Sequence, residues 1–408
     1  MNLVTGIVAL IVTAFCMDSL LKISVGGFFV QAAIPLLLLI PIWYFVIDKN
    51  RSPLSNNRQS KDIFIIALLL FILVQLPMAR NSNVYFAMAF YMFVATFQYW
   101  AISLIHERVN WTKMALYALI LFIVTGFIEY GLKYLFRVEF FVRGLDESYY
   151  ENKGTLGIRM RGLFLEPNWF GLSMFAWFYL YIRDLDRIGL GNSAIIIFTF
   201  LCFYFSDNRT ILGISIIILL YYPLSRHLGR LKILMPIALV SFSAFLYVYY
   251  SINCGSVVDR TASARLCTSG NIIAIWNQVD IIKKLFGFGF SNWGIYSNEM
   301  GFSRSNFLKD QSLTRRDNAE FYVFLFEMGV ASIVLFGMDL FVLGRKASKA
   351  VDAMFIATIY LSGFFYPLYT FLPYLLPVAV VRAKIFARPT ANSDRSGAVA
   401  PLSEGVSA

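Results

Sequence analysis

The stretch SAIIIFTFLCFYF-SDNRT-ILGISIIILLYY, residues 193–222, is a pair of apolar runs separated by a polar break. Neither run carries a charge, while Asp207 and Arg209 stand in the break between them. Apolar run, short polar turn, apolar run is the pattern of consecutive membrane helices. Arg209 then sits where one helix hands over to the next. A charge at that depth is costly unless something pairs with it, so its default reading is a functional site.

The rest of the chain repeats that pattern. Of 408 residues, 59% are hydrophobic and 17% aromatic, where a soluble domain has about half its residues apolar. Mean hydropathy is +0.67, and apolar stretches of roughly 18–22 residues match the bilayer core. The sequence predicts an all-α polytopic membrane protein of about twelve transmembrane helices. They are expected near 3–21, 28–47, 63–78, 84–105, 114–133, 166–182, 193–206, 209–223, 233–250, 319–343, 352–366 and 371–383. Residues 1–388 form a single transmembrane domain, and 389–408, rich in Ser, Ala, Pro and Gly, read as a disordered tail. The first run has no basic segment before it and no small-residue cleavage site, so it reads as a retained helix. A net charge of +11 raises nucleic acid as a partner, but the basic residues are dispersed among membrane loops, which argues against it.

Those basic residues set a topology. Loops after even-numbered helices carry Lys49, Arg51, Arg58, Lys61, Arg108, Lys113, Arg183, Arg187, Arg226, Arg230, Lys232, Arg345, Lys346 and Lys349. The C-terminal tail adds Arg382, Lys384, Arg388 and Arg395. Short loops after odd-numbered helices hold only Lys22, Arg80 and Arg209. By the positive-inside rule both termini are cytoplasmic, and Arg209 faces outward. Two longer outward loops span about 134–165 and 251–318; long loops cross regardless of charge.

Candidate chemistry lies at the outward mouths of helices. In 161–171, RGLFLEPNWFG, Pro167 suits a first helical position with Glu166 as cap, and a carboxylate there also complements the helix dipole. Arg161 is either a site residue or an interfacial arginine that snorkels. A cation beside a helix N-terminus, as Arg209 is, becomes favourable when an anion joins the two; Asp207 is the alternative counter-charge. Asp317 and Glu320 make a capping-box pattern, and Asp317 is also placed to accept a hydroxyl proton. Glu327 reads as a carboxylate well inside a membrane helix, either packing against an arginine or serving a proton path. His106 and His227, the only histidines, fall in cytoplasmic loops, so no outward histidine metal cluster is expected. Gly287-Phe288-Gly289-Phe290 lacks the spacing of a nucleotide loop. Neither a phosphate-cradling lysine motif nor a serine elbow is present.

In order, R-G-x-F-x-E-P-x-x-F-G at 161–171, D-N-R-T at 207–210, Arg265-Leu266 before Trp276, and D-N-x-x-F-Y-x-x-x-x-E-x-G at 317–329 resemble the bacterial O-antigen ligase and polymerase superfamily, over roughly 157–340. The resemblance implies a glycosyltransferase-C-like membrane fold in the inner membrane. It implies an inverting transfer at the periplasmic face, with glycans carried on undecaprenyl pyrophosphate as donor and acceptor, no nucleotide sugar and no cofactor. A chain-length regulator and a flippase of the same pathway are the further partners implied. Arg209 matches the family's arginine in its short polar turn, and Arg265 resembles the arginine of the large loop, with Arg260 as competitor. Asp317 falls where ligases place a catalytic histidine, which favours a polymerase of repeat units over a ligase to lipid A core. Catalytic expectations are Asp317, Arg209 and Arg265. Arg161, Glu166, Arg260, Arg159, Arg316 and Asn318 are expected to bind substrate. A transporter or lipid-glycan flippase is the reading from another class; it would place polar groups at the midplane in paired repeats, and no repeat is visible here. Cys254 and Cys267, the only cysteines in outward segments, are a disulfide candidate in a compartment that permits one.

Overall fold

The computed structural model describes residues 3–17, 22–25, 28–48, 63–136, 159–164, 166–185, 189–224, 231–253, 260–299, 320–347, 352, 354–356, 358–359 and 371–386. Helix dominates. The elements are α1 (Leu3–Cys16), α2 (Ala33–Leu37), α3 (Leu39–Trp43), α4 (Ile63–Val74), α5 (Ser82–Ile105), α6 (Trp111–Phe136), α7 (Pro167–Arg183) and α8 (Leu190–Phe205). They continue as α9 (Arg209–Leu224), α10 (Leu231–Ile252), α11 (Arg260–Gln278), α12 (Ile281–Phe286), α13 (Trp293–Glu299), α14 (Glu320–Met328), α15 (Val330–Lys346) and α16 (Leu372–Phe386). Two helices, α5 with 24 residues and α6 with 26, are long and apolar enough to cross a membrane; α1, α8 and α9 are apolar but shorter.

Three sequence expectations change. The first helix stops at Cys16, and the expected helix over 28–47 opens instead as a strand. β1 (Lys22–Val25) pairs antiparallel with β2 (Phe28–Gln31), Val25 opposite Phe28. β-Branched and aromatic residues around a glycine pair favour a hairpin. The second change lies in the loop expected over 251–318, which contains α11, α12 and α13. The third is the helix expected over 319–343, which breaks at Gly329, whose φ of 64° ends α14 and starts α15.

At the centre of the bundle stand α7 and α16. Every residue from Phe170 to Arg183 is buried, as is every residue from Leu372 to Ala383. A helix apolar on all sides belongs in a core, not at a surface. α7 packs against α6 and α16, and α16 against α5. Aromatic rings also meet α7: Tyr179 stacks on Phe355 with centroids 3.8 Å apart, and Trp169 meets the tilted ring of Phe371, just before α16, at 4.2 Å.

The C-terminal ends of α7, α15 and α16 gather at one pole. There Arg183 Nε meets Asp352 Oδ1 at 2.5 Å and Nη2 meets Oδ2 at 3.2 Å, while Tyr179 donates to the same carboxylate at 3.0 Å. Arg382 binds Asp339 through two hydrogen bonds of 2.8 Å. Asp184 joins Arg183 and Lys384, each at 2.7 Å. Arg183, Arg382 and Lys384 were expected as charges of loop and tail. They lie instead within or at the ends of helices, neutralised by carboxylates brought from other elements.

Candidate functional site

The opposite pole holds the N-termini of α7 and α9 and the C-termini of α6 and α8. A helix leaves its last four carbonyls without intrahelical donors, and α8 finds donors from two directions. Ser206, Asp207 and Asn208 turn back, their N–H groups reaching Cys202, Tyr204 and Phe203 oxygens at 2.9, 2.9 and 3.3 Å. The segment 159–160 supplies the others. Met160 N–H donates to Phe205 O at 2.9 Å, and Arg159 Nε to Ser206 O at 2.9 Å. Arg159 Nη2 reaches Asp207 O and Asn168 Oδ1, each at 3.3 Å.

Asn208 then starts the next helix. Its Oδ1 accepts from Ile211 N–H at 3.3 Å, an N-cap bond, and its Nδ2 donates to Asn168 O at 3.4 Å. Gly171 lies so close that a Cβ there would stand 2.8 Å from Asn208 Nδ2. Asp207 takes a left-handed φ of 50° in the tight turn between α8 and α9. The Arg209 side chain is 77% exposed, and its Nε lies 3.2 Å from Asp207 Oδ1. The neutralising alternative read from the sequence is therefore present, through Nε alone. Among the described residues that is the one side-chain contact of Arg209.

Arg161 is the inverse case. It is 2% exposed, and its Nε stands 3.5 Å from Glu129 Oε1. Its backbone N–H donates to Glu129 Oε2 at 3.3 Å, yet Nε, Nη1 and Nη2 make no hydrogen bond to any described residue. Burial excludes the snorkelling alternative. Arg161 is followed by Gly162, at φ 54°, where a Cβ would meet the Phe170 ring at 2.9 Å. Glycine is thus required where the chain passes over α7. Pro167 occupies the first helical position as expected, and Glu166 is the cap residue, though its side chain makes no capping hydrogen bond.

The fold therefore brings Arg159, Arg161, Glu166 and Arg209 to one mouth. Arg260 and Arg265 lie on α11, which packs against α10 and α14. Arg316, Asp317, Asn318 and Cys254 lie outside the described residues. Cys267 is disulfide-bonded, while Cys16 and Cys202 are free thiols.

Glu327 departs from expectation. It sits next to the end of the nine-residue α14, 1% exposed, and its Oε1 accepts the Trp293 N–H at 3.2 Å. Its carboxylate thus meets the start of α13 from the elbow between α14 and α15. The Gly-Phe-Gly-Phe segment lies against the same elbow: a Cβ at Gly287, φ 78°, would stand 2.3 Å from the Glu327 carbonyl carbon. Those glycines permit backbone to approach backbone. Beside them, Asn292 Nδ2 donates to Met78 O and Phe288 O, each at 2.8 Å, and its Oδ1 accepts Arg80 N–H at 3.0 Å. Asp280 caps α12 through Lys283 N–H at 2.9 Å, a bond that holds its carboxyl below the usual range.

Sequence reasoning missed Glu129, Asn168 and Asn292. Glu129 carried a signal, being a carboxylate inside the apolar run of α6. Asn168 lay inside a quoted motif without a role. Among the described residues no three His, Cys, Asp or Glu side chains converge as metal ligands. No protein-family model matches the chain, and no curated protein matches it as a relative.

Proposed function

We propose that this chain is a multi-pass glycosyltransferase of the bacterial inner membrane, with both termini cytoplasmic. It polymerises undecaprenyl-pyrophosphate-linked oligosaccharide repeat units at the periplasmic face. One observation carries the reading: motifs some 40 residues apart, Arg159–Asn168 and Ser206–Arg209, close into a single polar mouth. From it one guanidinium extends, 77% exposed, with Nε as its one contact among the described residues. Arginine's fork suits a phosphate bidentately, and the start of α9 adds a helix N-terminus beneath it.

In the proposed reaction the acceptor sugar's hydroxyl oxygen attacks the anomeric carbon of the donor glycan. The bond from that carbon to the pyrophosphate oxygen breaks, and its electron pair stays on the pyrophosphate. Arg209 and Arg265 stabilise the charge that develops there. Asp317 takes the hydroxyl proton. Single displacement inverts the anomeric centre.

The test is polymer length in nanodiscs containing the full chain and a polyprenyl-pyrophosphate-linked oligosaccharide. The wild type should give a ladder of repeats. Arg209→Ala should slow it by about 10²–10³-fold, the effect of removing one oriented donor, and Arg209→Lys should stay strongly impaired because the fork is lost. An undiminished ladder from Arg209→Ala removes that residue from the mechanism. Transfer only to a lipid A core acceptor would replace polymerase with ligase.

A further inference from the structure

The pole opposite Arg209 has basic side chains that the proposed reaction does not use. Three of its carboxylates are engaged: Asp339 holds Arg382, Asp184 holds Arg183 and Lys384, and Asp352 holds Arg183, while Glu107, 61% exposed, lies 3.6 Å from His106. Arg345 and Lys346, the last residues of α15, rest on aromatic rings instead. Arg345 lies 5.7 Å from the Phe341 ring centroid, and Lys346 Nζ lies 4.4 Å from that of Phe386. The carbonyl end of α15 favours cations there but supplies no mobile counter-ion.

The face leading to Arg345 is apolar and uncovered. Val334, Met338 and Phe341 are 53%, 58% and 63% exposed. With Arg345 they fall at helical spacings of four, three and four residues, which places them on one stripe. From Val334 to Arg345 the helix rises about 16 Å at 1.5 Å per residue. Half of a bilayer core is about 15 Å. The stripe thus has the depth of one leaflet and ends in two positive charges.

We infer that this end of α15 is a docking site for an anionic phospholipid. Its headgroup phosphate lies between Arg345 and Lys346, and its acyl chain lies along Phe341, Met338 and Val334. The inference rests on the membrane-embedded reading of the chain and is independent of the glycosyl-transfer reading.

The test uses the full chain in nanodiscs of phosphatidylcholine, with or without phosphatidylglycerol. Native mass spectrometry counts the lipids retained on release, and thermal unfolding is read in the same discs. The wild type should retain phosphatidylglycerol preferentially and melt higher when it is present. Arg345→Gln/Lys346→Gln should lower that preference about tenfold or more, the worth of two basic residues at an anionic surface. Arg345→Lys/Lys346→Arg should keep it, which separates charge from folding. Equal preference in the Gln variant overturns the site, as does a wild-type melting shift reproduced by inorganic phosphate in phosphatidylcholine discs. Failure of the wild type to enter discs would instead overturn the membrane reading, before any lipids are compared.

Discussion

The two poles of the bundle treat arginine in opposite ways. At one, Arg382 and Arg183 are buried and each meets a carboxylate through paired hydrogen bonds, Arg382 at 2.8 Å on both arms. At the other, among the described residues, Arg161 is equally buried but lies 3.5 Å from Glu129 with no side-chain hydrogen bond, and Arg209 touches Asp207 through Nε alone. The first arrangement is what a buried ion pair needs to offset its desolvation. In the second, guanidinium donors are left over among the described residues, and unused donors are what an anion can take up. The difference separates cations whose carboxylate contacts are complete from cations whose described contacts leave donors over.

The sharpest way to break this contrast is Asp339→Ala. It leaves Arg382 buried without its carboxylate and should cost about 3–5 kcal/mol of stability, read by thermal unfolding in detergent. A loss below about 1 kcal/mol, the scale of exposed pairs, would erase the distinction between the poles. Glu129→Gln should do less, about 1–3 kcal/mol, because Arg161 has no side-chain hydrogen bond to lose and the amide oxygen still accepts its backbone N–H. A loss equal to that of Asp339→Ala would show that Arg161 is as tightly fastened as Arg382. Smallest is the stability change of Arg209→Ala, within about 0.5 kcal/mol as for an exposed side chain away from structural features. A clear drop in melting temperature would make Arg209 part of the architecture.

Much of the helical pattern was legible because apolar periodicity and capping are local. The segment expected at 166–182 is α7 (Pro167–Arg183), and that at 209–223 is α9 (Arg209–Leu224). Pro167 and Asn208 carry the reasons in their own chemistry. What the sequence could not display is pairing at a distance. Nothing local to Arg159 reveals that its donors reach Ser206 and Asp207. Arg382, likewise, reads as a tail charge until α15 brings Asp339 beside it. Hydropathy also hid the break at Gly329, because residues on both sides are apolar and only the backbone angle differs.

That break has a further consequence. Where α14 ends, its carbonyls would ordinarily turn to water. Gly329 N–H takes Leu325 O at 2.9 Å, while Phe288 and Gly289 N–H take Phe326 and Glu327 oxygens, also at 2.9 Å. The segment 287–289 thus acts as solvent for the elbow, supplied by the chain itself. A helix interruption served in this way needs no contact with bulk water, and so can lie where the surroundings offer none. Its glycines keep that internal solvent within reach.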